Sequence, residues 1–127
     1  MPIQIKYIDD GLGVEFLGSS VVTGTDIIEA NKEIYGNESF SRQRYQIVDR
    51  TNCEKFQVNN DEIQIIAAQD KAAAKTNPNI IIALISTSDL QYGISRMYQA
   101  HVGENGFLTK IFRDRKSAEK WIKSQLK

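Results

Sequence analysis

Apolar and polar positions alternate from the first residues of the chain. Ile3, Ile5 and Tyr7 are separated by Gln4 and Lys6, a period of two that predicts a half-buried strand. Asp9-Asp10-Gly11 supplies turn chemistry, and Val14-Glu15-Phe16-Leu17 predicts a second strand. So short a connection makes the pair an antiparallel hairpin. The period then changes. Thr23 with Asp26 three residues on reads as a capping box. Ile27, Ile28, Asn31, Ile34 and Tyr35 follow at helical spacing, and Gly36 is the stop.

The same alternation of strand and helix repeats three times. Tyr45-Gln46-Ile47-Val48 predicts a third strand ending at Asp49. A loop through Cys53 and Phe56 leads to Asn59-Asn60, which cap a helix with Ile63, Ile66, Ala67 and Ala74 along one side. Asn77-Pro78 ends that helix. Ile80 to Ile85 is a continuous apolar run, the signature of a central strand covered on both faces. Ser88 with Gln91 reads as another capping box, before a helix with Leu90, Ile94, Met97 and His101 on one stripe. Gly103 to Gly106 interrupts it. Phe107 to Phe112 is the last strand, and Asp114 caps a final helix with Ala118, Trp121, Ile122 and Gln125 on one stripe.

The order is therefore β-β-α-β-α-β-α-β-α. It implies an α/β fold with right-handed crossovers and a five-stranded, mostly parallel (mixed) sheet with four helices and one antiparallel strand. A length of 127 residues suits one domain, 1–127, able to bury a core without disulfides or metals.

Composition narrows the function classes. Sixteen basic residues balance sixteen acidic ones, so the chain lacks the field of a dedicated nucleic-acid binder. The lone Cys53 can form no internal bridge, which fits a reducing cytoplasm. No basic leader precedes an apolar run at the N-terminus, and Ile80 to Ile85 is too short to span a bilayer. The sequon Asn37-Glu38-Ser39 is then a chance match.

Catalytic constellations are sparse. His101, the one histidine, lies on the expected apolar stripe and reads as a core or core-edge residue rather than a catalytic one. Cys53 lacks a partner for redox exchange or zinc; following a strand, it reads as small buried apolar filler, with an exposed thiol as the alternative. Gly11, Gly13 and Gly18 sit inside a hairpin, where a dinucleotide fingerprint needs strand, glycines, then helix. Asp9-Asp10, Asp49, Thr87 and Lys110 follow the order of a phosphoreceiver site. The acidic pair, however, turns straight into a strand, and Lys110 falls inside the last one. Arg113-Asp114-Arg115-Lys116 reads as a solvated helix start, and Arg42 and Arg44 beside Tyr45 as surface arginines or a small anion-binding edge. Tyr92 and Tyr98 fall off the expected stripe; exposed rings there favour a protein interface, and tucked rings are an equal alternative. These absences predict a protein that is not an enzyme and holds no cofactor or metal.

Three stretches carry a likeness to a known family: the strand ending in Asp49; Phe56-Gln57-Val58-Asn59-Asn60-Asp61 leading into a helix; and Ile111-Phe112-Arg113-Asp114 followed by Ala118-Glu119-Lys120-Trp121-Ile122. The chain resembles the STAS superfamily, and more closely its SpoIIAA-like branch of small standalone bacterial proteins. That resemblance implies successive strand-helix units around a mixed sheet, and a module that binds rather than catalyses. Members of this kind antagonise anti-sigma factors and are switched by phosphorylation of a serine where the second helix begins. Asn59 and Asn60 stand there instead, and asparagine accepts no phosphate, so the serine switch is not expected. The resemblance points to a protein partner at Asn59, Asn60, Asp61, Thr87 and Ser88, with a homodimer through an exposed sheet edge also open. Other members of the family resemble lipid-carrying CRAL-TRIO domains in fold, which opens an alternative, a small apolar or anionic ligand held in a pocket. Against this, the chain is short, and its apolar residues are expected to be needed for the core.

Overall fold

The computed structural model describes residues 2–126. Strand β1 (Ile3–Ile8) turns through Asp9–Gly11 into β2 (Gly13–Thr23). Asp9, Asp10 and Gly11 all have positive φ, a conformation that aspartate and glycine tolerate best. Then follow α1 (Gly24–Tyr35), β3 (Tyr45–Gln57), α2 (Asn60–Thr76), β4 (Ile81–Ile85), α3 (Asp89–Val102), β5 (Leu108–Phe112) and α4 (Arg115–Gln125). The five strands lie in the order β1-β2-β3-β4-β5, with β1 antiparallel to β2 and the others parallel. This is the architecture that the alternation predicts.

Sequential strand order with right-handed crossovers puts every intervening helix on one face. Accordingly α1, α2 and α3 pack on Val14, Phe16, Ile82 and Leu84. Only α4, which follows the last strand, covers the other face, packing Ala118 and Ile122 on Tyr45, Ile47, Ala83 and Ile85. β4 is buried at all five positions because its alternate residues serve both layers.

The helix caps follow the sequence closely. Thr23 and Asp26 form a reciprocal box at α1, at 2.9 and 3.2 Å. Asn59 does the same with Glu62 at α2, and Asp114 caps α4 through Ser117. At α3 the Ser88 hydroxyl accepts from the Gln91 N–H, but the Gln91 side chain accepts from Thr87 rather than from the cap residue.

Two expectations need correction. The stripe of α3 is rotated by one residue. Gln91, Ser95, Tyr98 and Val102 are its buried side, while Leu90 and Met97 are 63% and 43% exposed. His101 is consequently half-exposed at the helix edge, and Tyr98 is a core residue. Second, Cys53 and Phe56 lie in no loop. β2 and β3 run on past the rest of the sheet, pairing from Ser19↔Asn52 to Thr23↔Gln57, whereas β3 leaves β4 at Asp49↔Ile85. The extension is a two-stranded parallel ribbon. Irregular register on either side of Ser19-Ser20, with Ser20 at φ 55°, gives it added bend and twist.

Gly13 lies directly opposite Tyr45, and a Cβ there would overlap the tyrosine ring. Gly13→Ala is expected to cost about 1–3 kcal/mol by overpacking, read as a lower urea midpoint with an unchanged denaturant slope.

Candidate functional site

The candidate site is a cavity of about 60 Å³ between the sheet and the helix layer. By that measure it holds several water molecules. Its apolar walls come from Val48 on β3, Ile82 and Leu84 on β4, Ile63 and Ile66 on α2, and Ile94 on α3. The ribbon contributes Val22 and Phe56, both buried although their strands have left the main sheet. As expected, most wall residues also serve the packed core, Ile63, Ile66, Ile82 and Leu84 among them, but helices and ribbon leave a small unfilled space where they meet.

Polar groups enter this apolar setting at a few points. Asp70, on α2, is 4% exposed, and its two carboxylate oxygens accept from the Tyr35 hydroxyl of α1 and the Tyr98 hydroxyl of α3. Burial pushes the Asp70 carboxyl up to about 6, with the two hydroxyls pulling the other way. Burial, and then the neighbouring carboxylate, raise both phenols well above their ordinary range, so they remain donors.

Arg50, on β3 where the ribbon begins, is half-buried. Its guanidinium donates to Ser95 Oγ at 3.0 Å, and Ser95 Oγ lies 2.9 Å from Ser86 Oγ. The guanidinium stacks on the Phe56 ring, 4.4 Å from the centroid. Burial lowers its pKa to about 10, so it is charged at neutral pH. Among the described residues no carboxylate lies within 4 Å of it. Gln46, four residues back on the same face of β3, is 2% exposed; its Nε2 makes no well-formed hydrogen bond but lies near the Tyr35 hydroxyl, whose pKa it lowers.

Asp49 also borders the cavity, but its carboxylate turns to the opposite face of the sheet and is fully engaged there. Arg115 of α4 bridges it at 3.2 Å and also pairs with Glu15, while Thr51 donates through its N–H and hydroxyl. Burial pushes the Asp49 carboxyl up, but the bonds from Thr51 and Arg115 outweigh it and leave it below its ordinary value.

The residues proposed from the sequence lie at the same end of the parallel strands but have local partners. Asn59 caps α2, Asn60 Oδ1 is 3.3 Å from His101 Nε2, and Asp61 is exposed. The Thr87 N–H donates to Gln91, and Ser88 caps α3. The phosphoreceiver order does not assemble a site. Asp9-Asp10 follow Ile8, at the Gly13–Tyr45 end of the sheet, whereas Asp49 lies at the Ile85 end and Lys110 pairs mid-strand with Ala83. Cys53 is half-exposed on the ribbon, its Sγ 3.1 Å from the Lys55 carbonyl, and burial raises its thiol pKa. Arg113 stacks on half-buried Tyr92 and pairs with Asp89.

Sequence reasoning missed Asp70, Arg50 and Gln46. Asp70 carried a signal, since it falls on the stripe of Ile63, Ile66, Ala67 and Ala74. Arg50 and Gln46 carried none.

The chain matches no family model and no curated protein. Among solved structures it is similar to an uncharacterised DUF3478-family protein with a SpoIIAA-like fold from Shewanella loihica. The two share 16% sequence identity with a TM-score of 0.55, over 94% of this chain and 91% of that one. The fold is thus SpoIIAA-like, as the resemblance implied. No helix among the described residues is long and apolar enough to cross a membrane.

The raised pKa of Asp70 makes stability depend on pH in an unusual direction for a carboxylate. The folded state holds the proton more tightly than the unfolded chain, so the contribution is full below about pH 4 and is lost as pH rises through about 6. The loss is about 3 kcal/mol. Urea unfolding from pH 4 to 7 is expected to show this decline relative to Asp70→Asn, whose curve lacks it.

Proposed function

We propose that this protein is a non-enzymatic binding domain that holds a small, largely apolar molecule in the cavity beneath the β2–β3 ribbon. The observation that carries this reading is the unfilled space itself. Close packing is the norm in a core; here apolar side chains from sheet, helices and ribbon surround a void with a few polar groups placed on its wall, the usual composition of a ligand pocket. The absence of a catalytic role is supported by the scatter of the reactive groups. His101 faces Asn60, the Cys53 thiol is held neutral, and the acidic pair is at the far end of the sheet from Asp49.

The probe is 1-octanol, followed by amide chemical shifts. Saturable shifts are expected in Val22, Val48, Phe56 and Ile94, and Val48→Phe, which fills the space, is expected to abolish them. Shifts that do not saturate, or that persist unchanged in Val48→Phe, would contradict the reading.

A protein-interaction or regulatory role is the second reading, and one observation favours it. Leu90 and Met97 project from α3 into solvent, and Leu108 is 57% exposed on β5, an edge strand with no second neighbour. If α3 and β5 form a contact between copies, sedimentation at rising concentration will show a dimer that Leu90→Glu with Met97→Glu removes. A monomer throughout would rule out self-association there.

A further inference from the structure

We infer that the ligand of this cavity is an anion with an apolar tail, a monocarboxylate, whose headgroup is held by Arg50. This deepens the cavity reading above and rests on it. The first argument is charge. Besides the Tyr98 phenol, three residues of the cavity lining can carry charge at neutral pH: Asp49, Arg50 and Asp70. Asp49 is paired with Arg115, and both oxygens of Asp70 are capped by tyrosine hydroxyls. Arg50 alone is left with a charge and no counter-ion among the described residues. A guanidinium taken partly out of water without an anion is costly, and a bound carboxylate would remove that cost through the two-pronged geometry that arginine offers.

The second argument is the sign of the unmet hydrogen bonds. Arg50 carries five N–H donors and no acceptor, and its single protein acceptor is Ser95 Oγ. Gln46 adds a second buried donor on the same wall: its Nε2 makes no well-formed hydrogen bond, although it lies close enough to the Tyr35 hydroxyl to lower that phenol's pKa. Donors without acceptors select a ligand that brings oxygens and no protons. An amine or a guanidinium would add donors to donors.

The third argument is shape. Gln46, Val48 and Arg50 lie on one face of β3, so the backbone positions that carry the two donors are about 13 Å apart along the strand. Between them the wall is Val48, with Ile82 and Leu84 on β4 beside it. A headgroup at Arg50 therefore directs an unbranched tail along β3 towards Gln46, under the helix layer. Phe56 covers the outer end by stacking on the same guanidinium. A single unpaired cation matches a singly charged head better than a doubly charged one.

The test compares octanoate with 1-octanol by calorimetric titration at pH 7.5, in wild type, Arg50→Gln and Arg50→Lys. Octanoate is expected to bind wild type at least tenfold more tightly than 1-octanol. Arg50→Gln is expected to bring octanoate down to the level of the alcohol and leave the alcohol unchanged, with Arg50→Lys between. Binding of the alcohol by Arg50→Gln shows that the variant is folded. If that variant does not fold, the wild-type ratio decides alone. Equal or weaker binding of octanoate by wild type overturns the headgroup assignment and leaves the cavity reading standing. So does octanoate affinity unchanged in a folded Arg50→Gln. Failure of both ligands to bind overturns the two together.

Discussion

One buried carboxylate joins the helix layer. Asp70 sits in the middle of α2 and accepts a hydrogen bond from the last residue of α1 and another from α3. An ionised carboxyl in this position is strongly penalised by desolvation, and the two phenols recover only part of the cost. An apolar residue would suit a purely structural core at least as well. What the carboxylate adds is direction: it ties three helices at one point and fixes their spacing by hydrogen-bond length rather than by side-chain volume. Helices held in this way need not collapse onto the sheet, and a cavity can persist beside the tie.

The opposite face is organised by the complementary charge. Arg115, at the first position of α4, spans Glu15 on β2 and Asp49 on β3, with Glu119 one turn on. Because Asp49 is drawn to that face, the next residue, Arg50, points to the cavity side, as strand alternation requires. The pairing that neutralises one residue thus leaves its neighbour without an anion. The two faces of the sheet are coupled at this step in β3.

Much of this fold was legible in the sequence, because burial follows strand and helix periods and caps use local atoms. Thr23, Asn59 and Asp114 announced three helix starts, and Ile80 to Ile85 announced a strand with two covers. The parts that were not legible depend on partners distant in the chain. On α3 the apolar residues Leu90 and Met97 suggested one face, yet the helix buries Gln91 and Ser95, since Thr87, Ser86 and Arg50 satisfy them. The ribbon was invisible because a two-stranded extension has little to alternate between: Arg50 to Lys55 is nearly all polar. The cavity could not be read either. A void is a property of how elements meet, and only Asp70, a charge on an apolar stripe, hinted that something other than packing was at work.

The sequential order of the strands has a consequence for assembly. Each new strand lays itself against the one just made, so every pairing in the sheet joins neighbours in the chain, and no strand must wait for a later one to be inserted beside it. Only the hairpin closes a small loop; each parallel pairing must wait for its crossover helix, so the ordering sets a sequence of steps rather than a fast one. Growth can therefore proceed from the N-terminal hairpin as the chain emerges, one strand-helix unit at a time. The long-range bond from Arg115 to Glu15 spans 100 residues and is the exception. It cannot form until the last helix has arrived, which makes it a signature of a finished molecule.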